Sequence, residues 1–108
     1  MTEVQVFKHN GNYSSFICSG HTGYAESGSD IVCAGVSAIV INTINCLTDL
    51  LDTELSVDYS EDDGEIICNL PAVPTEKETL LIDCMLHGLE WIVSQYGNDY
   101  LNYEIKEV

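Results

Sequence analysis

A histidine and a cysteine separated by a glycine-bearing loop form the part of this sequence best suited to chemistry. His21 follows a predicted strand, and Cys33 lies twelve residues later, at the predicted start of a long apolar helix. In the first turn of a helix, the dipole and the unpaired N–H groups favour a thiolate. His21, carried back by the loop, would supply the base. These are the two groups that a nucleophilic cysteine enzyme needs, although an inert, packed cysteine is the ordinary alternative.

The segment GHTGYAESGSDIVCAGVSAI, residues 20–39, resembles the signature of the bacterial ribosomal-processing cysteine protease family, Prp. Members carry Gly-His, then Tyr-Ala, a short glycine-containing loop, Asp-Ile-Val-Cys-Ala and a serine about one turn further on. The resemblance implies that Cys33 attacks the scissile carbonyl to form a thioester and that His21 transfers the proton. It implies no cofactor.

Further candidate residues surround this pair. Asp30 matches an acid in the family pattern and would orient His21, but Ser29 or Asp30 would also serve as a helix N-cap, and both roles stay open. Ser37 lies one turn beyond Cys33 and would bond the thiol, the loop, or the carbonyl four residues back. Glycines near both ends predict a flexible substrate loop. Its residues are Gly20, Thr22, Gly23, Tyr24, Ala25, Glu26, Ser27, Gly28 and Ser29.

The other cysteines predict neither a disulfide framework nor a metal centre. Five is an odd number, and the spacings are not paired. Three cysteines in apolar periodic runs are predicted to pack as small apolar side chains: Cys46, Cys68 and Cys84. Cys18, His21 and Cys33 would supply three zinc ligands, but no second close pair of ligands completes the site. We therefore expect no metal.

The charge of the chain limits the classes of molecule that it can bind. Eighteen acidic residues face three lysines and no arginine, for a net charge of −15. Nucleic-acid binding depends on basic side chains that displace counterions, so it is excluded, and anionic membrane surfaces repel the chain. Such a charge serves solubility or a salty habitat, or it attracts a basic partner. Ribosomal proteins are strongly basic, which fits the substrate class that the resemblance implies.

The sequence also predicts where the protein works. The longest apolar run is interrupted by Asn42, Thr43 and Asn45, so we expect no membrane span of about 20 apolar residues. The first residues, Met1–Val4, have neither the basic nor the apolar region of a secretory signal. We therefore expect a cytoplasmic protein.

Periodicity predicts one α+β domain over residues 1–108 with the order ββαββαβ. The strands are predicted at 2–8, 14–20, 54–59, 65–70 and 101–105, with a turn at 61–64. The first helix is predicted over 31–51 and is apolar nearly all round. The second is predicted from a capping box, Thr75 with Glu78, to Gly97. We expect a mostly antiparallel sheet with both helices on one face.

The sequence thus predicts a cysteine endopeptidase with a His21–Cys33 dyad. By resemblance, its substrate is the N-terminal extension of large-subunit ribosomal protein twenty-seven, which is removed before ribosome assembly. The two apolar stripes of the first helix predict a homodimer, as does the resemblance. The alternative is a non-catalytic acidic adaptor that binds a basic ribosomal protein, with Cys33 merely packed.

Overall fold

The structure is a computed structural model, and it describes residues 2–20, 27–60 and 64–108. These residues form five strands and two helices in the predicted order, which confirms the α+β class. The elements are β1 (Thr2–His9), β2 (Asn12–Ser19), α1 (Ser27–Leu50), β3 (Ser56–Tyr59), β4 (Ile66–Asn69), α2 (Glu76–Tyr96) and β5 (Leu101–Glu107). The predicted turn at 61–64 lies outside the described residues except for Gly64.

The strands form one sheet with the order β3-β4-β2-β1-β5. Three of the four pairings are antiparallel, and β1 pairs with β5 in parallel, with Thr2 opposite Leu101 and Lys8 opposite Glu107. The sheet is therefore mixed, with the predicted antiparallel majority. Both helices pack on the face that carries Val4 and Phe16.

An irregularity in the β1–β2 hairpin explains why Tyr13 is buried. Strict alternation along β2 would bury the even-numbered Phe16 and Cys18 and leave position 13 on the other face of the sheet. Asn10 and Gly11 have φ of 52° and 80°, as a two-residue turn between twisted strands requires. The register then shifts, because Phe7 pairs with Ser15 but Lys8 pairs with Tyr13. This bulge turns Tyr13 inward, where its hydroxyl donates a 2.5 Å hydrogen bond to Asp83 of α2.

Helix α2 has the predicted signals at both ends. Thr75 Oγ1 accepts from the N–H of Glu78, and Glu78 Oε1 accepts from the N–H of Thr75, so the capping box is confirmed. Gly97 follows the last helical residue with φ of 83°, and its N–H donates to the carbonyl of Val93. The helix buries one stripe, at Ile82, Met85, Leu89 and Ile92.

Helix α1 is covered on two sides, as its all-round apolar pattern predicts. Its sheet-facing stripe is buried: Val32, Val36, Val40, Ile44 and Leu47. On the α2 side, Ile39 approaches Gly88 so closely that a Cβ there would lie 3.1 Å from Ile39 Cδ1. The third side is open, and Ile31, Ile41 and Leu50 are exposed.

The expectation about membrane-spanning length is wrong for α1. Residues Ile31–Leu50 are long and apolar enough to cross a bilayer by length and composition, despite Asn42, Thr43 and Asn45. A core helix passes the same test, because a helix that buries two sides needs apolar residues on both. The packing of α1 against the sheet and α2 accounts for its composition.

Candidate active site

Cys33 lies deeper in its helix than the sequence predicts. Because α1 begins at Ser27, Cys33 is its seventh residue and lies in the second turn. The predicted start was placed at Ile31, where the apolar run begins, which is four residues after the observed start of the helix. The first four N–H groups of a helix are the unpaired ones, and the influence of the dipole declines beyond the first turn. The effect of the helix terminus on Cys33 is therefore weaker than expected.

The predicted helix caps are wrong for the same reason. Ser29 and Asp30 are the third and fourth residues of α1, so neither occupies the N-cap position. Position 30 instead lies within the first turn of the helix. The proposed orientation of His21 by Asp30 stays a prediction, because His21 lies outside the described residues.

The predicted substrate loop is shorter than expected. Ser27, Gly28 and Ser29 belong to the first turn of α1 and not to a loop. Gly20 follows β2 directly and has φ of 90°, a backbone conformation that favours glycine. The rest of the loop, at Thr22, Gly23, Tyr24, Ala25 and Glu26, lies outside the described residues.

The helix places Ser37 one turn beyond Cys33 on the same flank. Both side chains are half-buried, on a flank adjoining the buried Val36 and Val40. Residues four apart lie above one another on a helix, so the Ser37 hydroxyl and the Cys33 thiol share one local surface.

Cys18, which the sequence suggests only as a zinc ligand, is a neighbour of Cys33. It points into the core from the C-terminal end of β2 and is completely buried. Burial, together with a smaller contribution from the nearby Cys33, raises the pKa of the Cys18 thiol to about 12. Cys18 therefore stays protonated at neutral pH beside Cys33. The alternation of β2 alone would have put it on the inner face.

Two tyrosines mark the ends of the sheet row that contains Cys18. Strand pairing aligns Tyr59, Ile66, Cys18, Val4 and Tyr103 across all five strands. Paired residues point to the same face of a sheet, so these side chains lie on the helix side. Tyr59 is exposed at the β3 edge and Tyr103 is half-buried at the β5 edge. The sequence pattern indicates no role for either tyrosine.

The opposite flank of α1 borders an apolar cleft of about 260 Å³ between the two helices, which we call the Trp91 cleft. Three of its side chains are large, apolar and exposed: Ile31 (55%), Trp91 (59%) and Tyr96 (43%). Val32, Gly35, Ile39 and Ile92 complete it, so its lining contains no charged side chain from residues 2–20, 27–60 and 64–108. Ile31 and Cys33 are two residues apart, about 200° around the helix, so the cleft and the thiol face different directions.

The described ranges contain no group of three or more histidine, cysteine, aspartate or glutamate side chains placed to hold a metal ion. The zinc alternative requires His21, which lies outside those ranges. The chemistry that the described residues offer is that of a thiol on a helix flank, packed over the end of a sheet.

The α+β fold and the helical Cys33 agree with the class of cysteine proteases, and comparison with known proteins establishes that class. The family model described as "Cysteine protease Prp" matches residues 1–101. The chain therefore belongs to the Prp family of cysteine proteases, as the resemblance of residues 20–39 implies.

Individual relatives agree over most of the chain. The ribosomal processing cysteine protease Prp of Bacillus subtilis is 36% identical over 95 residues, which cover 84% of this chain and 85% of the relative. The protein of the same name from Staphylococcus aureus is 30% identical and covers 87% of this chain and 90% of its own.

Solved structures show the same fold. The S. aureus Prp protease in complex with a substrate peptide has a TM-score of 0.90 at 25% identity, covering 98% of this chain and all of that one. The same protease with a covalently linked product peptide has a TM-score of 0.85 at 26% identity, with the same coverage. A Streptococcus mutans protein has a TM-score of 0.88 at 28% identity, covering 100% of this chain and 99% of that one.

Proposed function

We propose that this cysteine protease removes the N-terminal extension of large-subunit ribosomal protein twenty-seven before ribosome assembly, with Cys33 as the nucleophile and His21 as the base. The observation that carries the proposal is membership of the Prp family over residues 1–101, which include both positions. The proposed place of action is the cytoplasm, where bacterial ribosomes are assembled.

The surroundings of the cysteines support Cys33 as the nucleophile. Cys18 and Cys68 are completely buried, and burial raises the pKa of each thiol to about 12, so neither is a thiolate at neutral pH. Cys33 is half-buried on a helix flank, so it is less enclosed than either of these thiols. The S. aureus relative forms a complex with a covalently linked product peptide, which agrees with covalent catalysis.

The proposed reaction has two covalent steps. The Cys33 sulfur, deprotonated by His21, attacks the scissile carbonyl, and the amide C–N bond breaks as His21 protonates the leaving amine. The acyl group is then held as a thioester. Water, deprotonated by the same histidine, attacks the thioester, releases the carboxylate and restores the thiol.

The acidic surface supports a basic substrate. Three lysines are the only cationic side chains besides histidine, so they can neutralise no more than three of the eighteen negative charges. In the described ranges the one lysine–carboxylate pair within 4 Å is Lys106–Glu104, at 3.7 Å. A strongly negative surface accelerates encounter with a positive protein, and salt weakens that effect.

The decisive experiment compares Cys33→Ala with Cys84→Ser on a peptide that spans the junction of the extension. We expect no detectable turnover for Cys33→Ala, because no other accessible nucleophile is proposed. Cys84→Ser is the matched control, since Cys84 is an exposed helical thiol that the proposal leaves unused. Circular dichroism checks the fold of both variants. Substantial activity of folded Cys33→Ala overturns the proposed nucleophile.

The base is tested by His21→Ala against His87→Ala. Proton transfer contributes on the order of 10²–10⁴-fold, so we expect His21→Ala to lower kcat by that factor with a smaller effect on peptide affinity. His87 is exposed on α2 and its replacement should leave kcat unchanged. A pH–rate profile of unchanged shape in His21→Ala would remove the histidine from the mechanism.

The adaptor alternative requires binding of a basic ribosomal protein without cleavage. Family membership favours the protease. Intact-mass measurement of the extended ribosomal protein after incubation with this chain separates the two, because an adaptor leaves the substrate mass unchanged.

We also infer a homodimer that packs through the Trp91 cleft. Its exposed apolar side chains form a patch of the kind that mediates association, and none of the described residues that line it is charged. Two copies at −15 would therefore meet where like charges are absent from the contact. A two-fold dimer lets the same patch meet itself.

Sedimentation equilibrium over a range of salt tests the dimer. We expect association to strengthen as salt screens the repulsion between the two copies. Trp91→Lys should give a monomer, while Tyr59→Lys, an exposed aromatic residue on the β3 edge, should leave the dimer intact. A chain that stays monomeric at about tens of micromolar protein in moderate salt contradicts the inferred dimer.

A further inference from the structure

A second crevice between the helices brings two thiols to one place. It lies toward the C-terminal end of α1, has a volume of about 190 Å³, and is lined by Cys46 from α1 and Cys84 from α2. Small or flexible side chains surround the two sulfurs, including Thr43, Met85 and Gly88. We call it the Cys46–Cys84 crevice. Nothing in the proposed protease mechanism uses either cysteine.

The register of the two helices explains why both cysteines line this crevice, about one helical turn apart. A Cβ on Gly35 would lie 3.4 Å from Ile92 Cδ1, and a Cβ on Gly88 would lie 3.1 Å from Ile39 Cδ1. Moving four residues forward on α1, from 35 to 39, corresponds to moving four residues back on α2, from 92 to 88. The two helices are therefore antiparallel. One further step sets position 43 opposite Cys84, and Cys46 follows on the same stripe of α1.

The crevice is accessible from solvent, in contrast to the sites of the buried thiols. Cys84 is exposed and Cys46 is half-buried, with its Sγ 3.9 Å from Asn42 Oδ1. A dissolved oxidant can therefore reach both sulfurs. Cys18 and Cys68 are closed to such a reagent because they have no exposed surface.

We propose that Cys46 and Cys84 form a redox-active dithiol that a hydroperoxide converts into a disulfide linking α1 to α2. One sulfur attacks a peroxide oxygen, the O–O bond breaks, and a sulfenic acid forms with release of water or an alcohol. The second sulfur attacks the sulfenic sulfur, the S–S bond forms, and water leaves. The two thiols lose two electrons and two protons, and the peroxide is reduced by the same two electrons.

The bridge would act on stability and leave the proposed catalytic surface open. It encloses the segment between residues 46 and 84, which contains the whole β3–β4 hairpin. Closing a loop of this length restricts the unfolded chain, so oxidation should raise the unfolding temperature by at least about 5 °C. Cys33 is thirteen residues before Cys46, about 20 Å along α1 at 1.5 Å per residue, so the bridge does not cover it.

The test is peptide mapping of a full-length Cys33→Ser chain after treatment with stoichiometric hydrogen peroxide and alkylation of the remaining thiols. We expect a chain lighter by two hydrogen atoms, a linked peptide pair containing Cys46 and Cys84, and recovery of both thiols with dithiothreitol. Cys84→Ser in the same background should give no linked pair and no rise in unfolding temperature. Because Cys84 is exposed, this variant should fold.

Two results would overturn the proposal. One is capture of Cys46 and Cys84 as separate sulfenic acids by dimedone, without a linked pair. The other is a link to a different cysteine or between two chains. Neither result depends on protease activity, so failure of the disulfide leaves the proposed function intact, and failure of Cys33 as nucleophile leaves the disulfide intact.

Discussion

The thiols on the sheet and those on the helices occupy contrasting environments in one small domain. Cys18 and Cys68 project from β2 and β4 into the core, where burial raises the pKa of each thiol to about 12. The helical cysteines, Cys33, Cys46 and Cys84, are half-buried or exposed. The contrast shows that the accessibility of a thiol here depends on which element carries it, because the inner sheet face is covered by both helices while parts of the helix surfaces remain open.

Alkylation of the native chain tests this contrast with the largest expected effect. A pKa of about 12 in place of 9.0 lowers the thiolate fraction at neutral pH by about 10³, and burial slows access further. Iodoacetamide followed by peptide mass mapping should therefore modify the helical cysteines at least about 10³ times faster than the sheet cysteines. Labelling of Cys18 or Cys68 at the rate of Cys84 would refute the contrast.

The same experiment sharpens the assignment of Cys33 once its helical neighbours are removed. In a Cys46→Ser/Cys84→Ser chain, Cys33 should be the one cysteine that reacts without denaturant. In denaturant, all three remaining cysteines should react at similar rates, which controls for reagent and mapping.

The pH dependence of stability gives an intermediate effect. Cys18 and Cys68 have a higher pKa when folded than the ordinary value of 9.0. Their contribution to stability is therefore complete below about pH 9 and is lost as the pH rises towards 12, because the unfolded chain ionises first. Urea unfolding from pH 7 to 11 should give a falling free energy of unfolding above about pH 9.

A Cys18→Ala/Cys68→Ala chain should lose less stability over the same alkaline interval. Part of the decline should remain, because burial and Asp83 raise the pKa of Tyr13 to about 12. The stability that Tyr13 contributes is therefore also lost as the pH rises. Identical slopes in the two chains would mean that the buried thiols are not protected from ionisation.

Single hydroxyl substitutions provide the smallest test. Cys68→Ser places a hydroxyl in an apolar site and should lower the free energy of unfolding by about 1–3 kcal/mol. Cys84→Ser, at an exposed site, should change it by less than about 0.5 kcal/mol. Equal losses in denaturant titrations would show that the two environments differ less than their burial indicates.

The sequence predicted α2 well because its limits depend on local contacts. The Thr75–Glu78 box and Gly97 satisfy backbone groups within a few residues, so residue type and spacing suffice. The Asn10-Gly11 turn was predictable for the same reason, since few residue pairs adopt two consecutive positive φ angles.

The start of α1 was missed because its apolar run and its helical backbone do not begin together. Ser27, Gly28 and Ser29 are weak helix formers, yet they precede the run in helical conformation. The error moved Cys33 from the second turn to the first and gave Ser29 and Asp30 a capping role that they do not have.

The exposure of Cys84 was also mispredicted. It was expected to be packed because it lies in a periodic apolar run, but a periodic run fixes only which residues share a face. Which face the core covers depends on the crossing of α1 and α2. The pairing of β1 with β5 is equally non-local, since it joins residues about a hundred positions apart.

Because β5 pairs with β1, it covers a strand edge of β1 that would otherwise be open. The strand β1 has β2 on one side and β5 on the other, and β5 is joined to α2 by an exposed segment, Gly97–Asp99. Proteolytic cleavage in this segment, followed by release of β5, would leave one edge of β1 unpaired, while its other edge stays paired with β2. An open strand edge templates association with other chains. A nick at 97–99 is therefore expected to produce aggregates, and not a smaller, working protease.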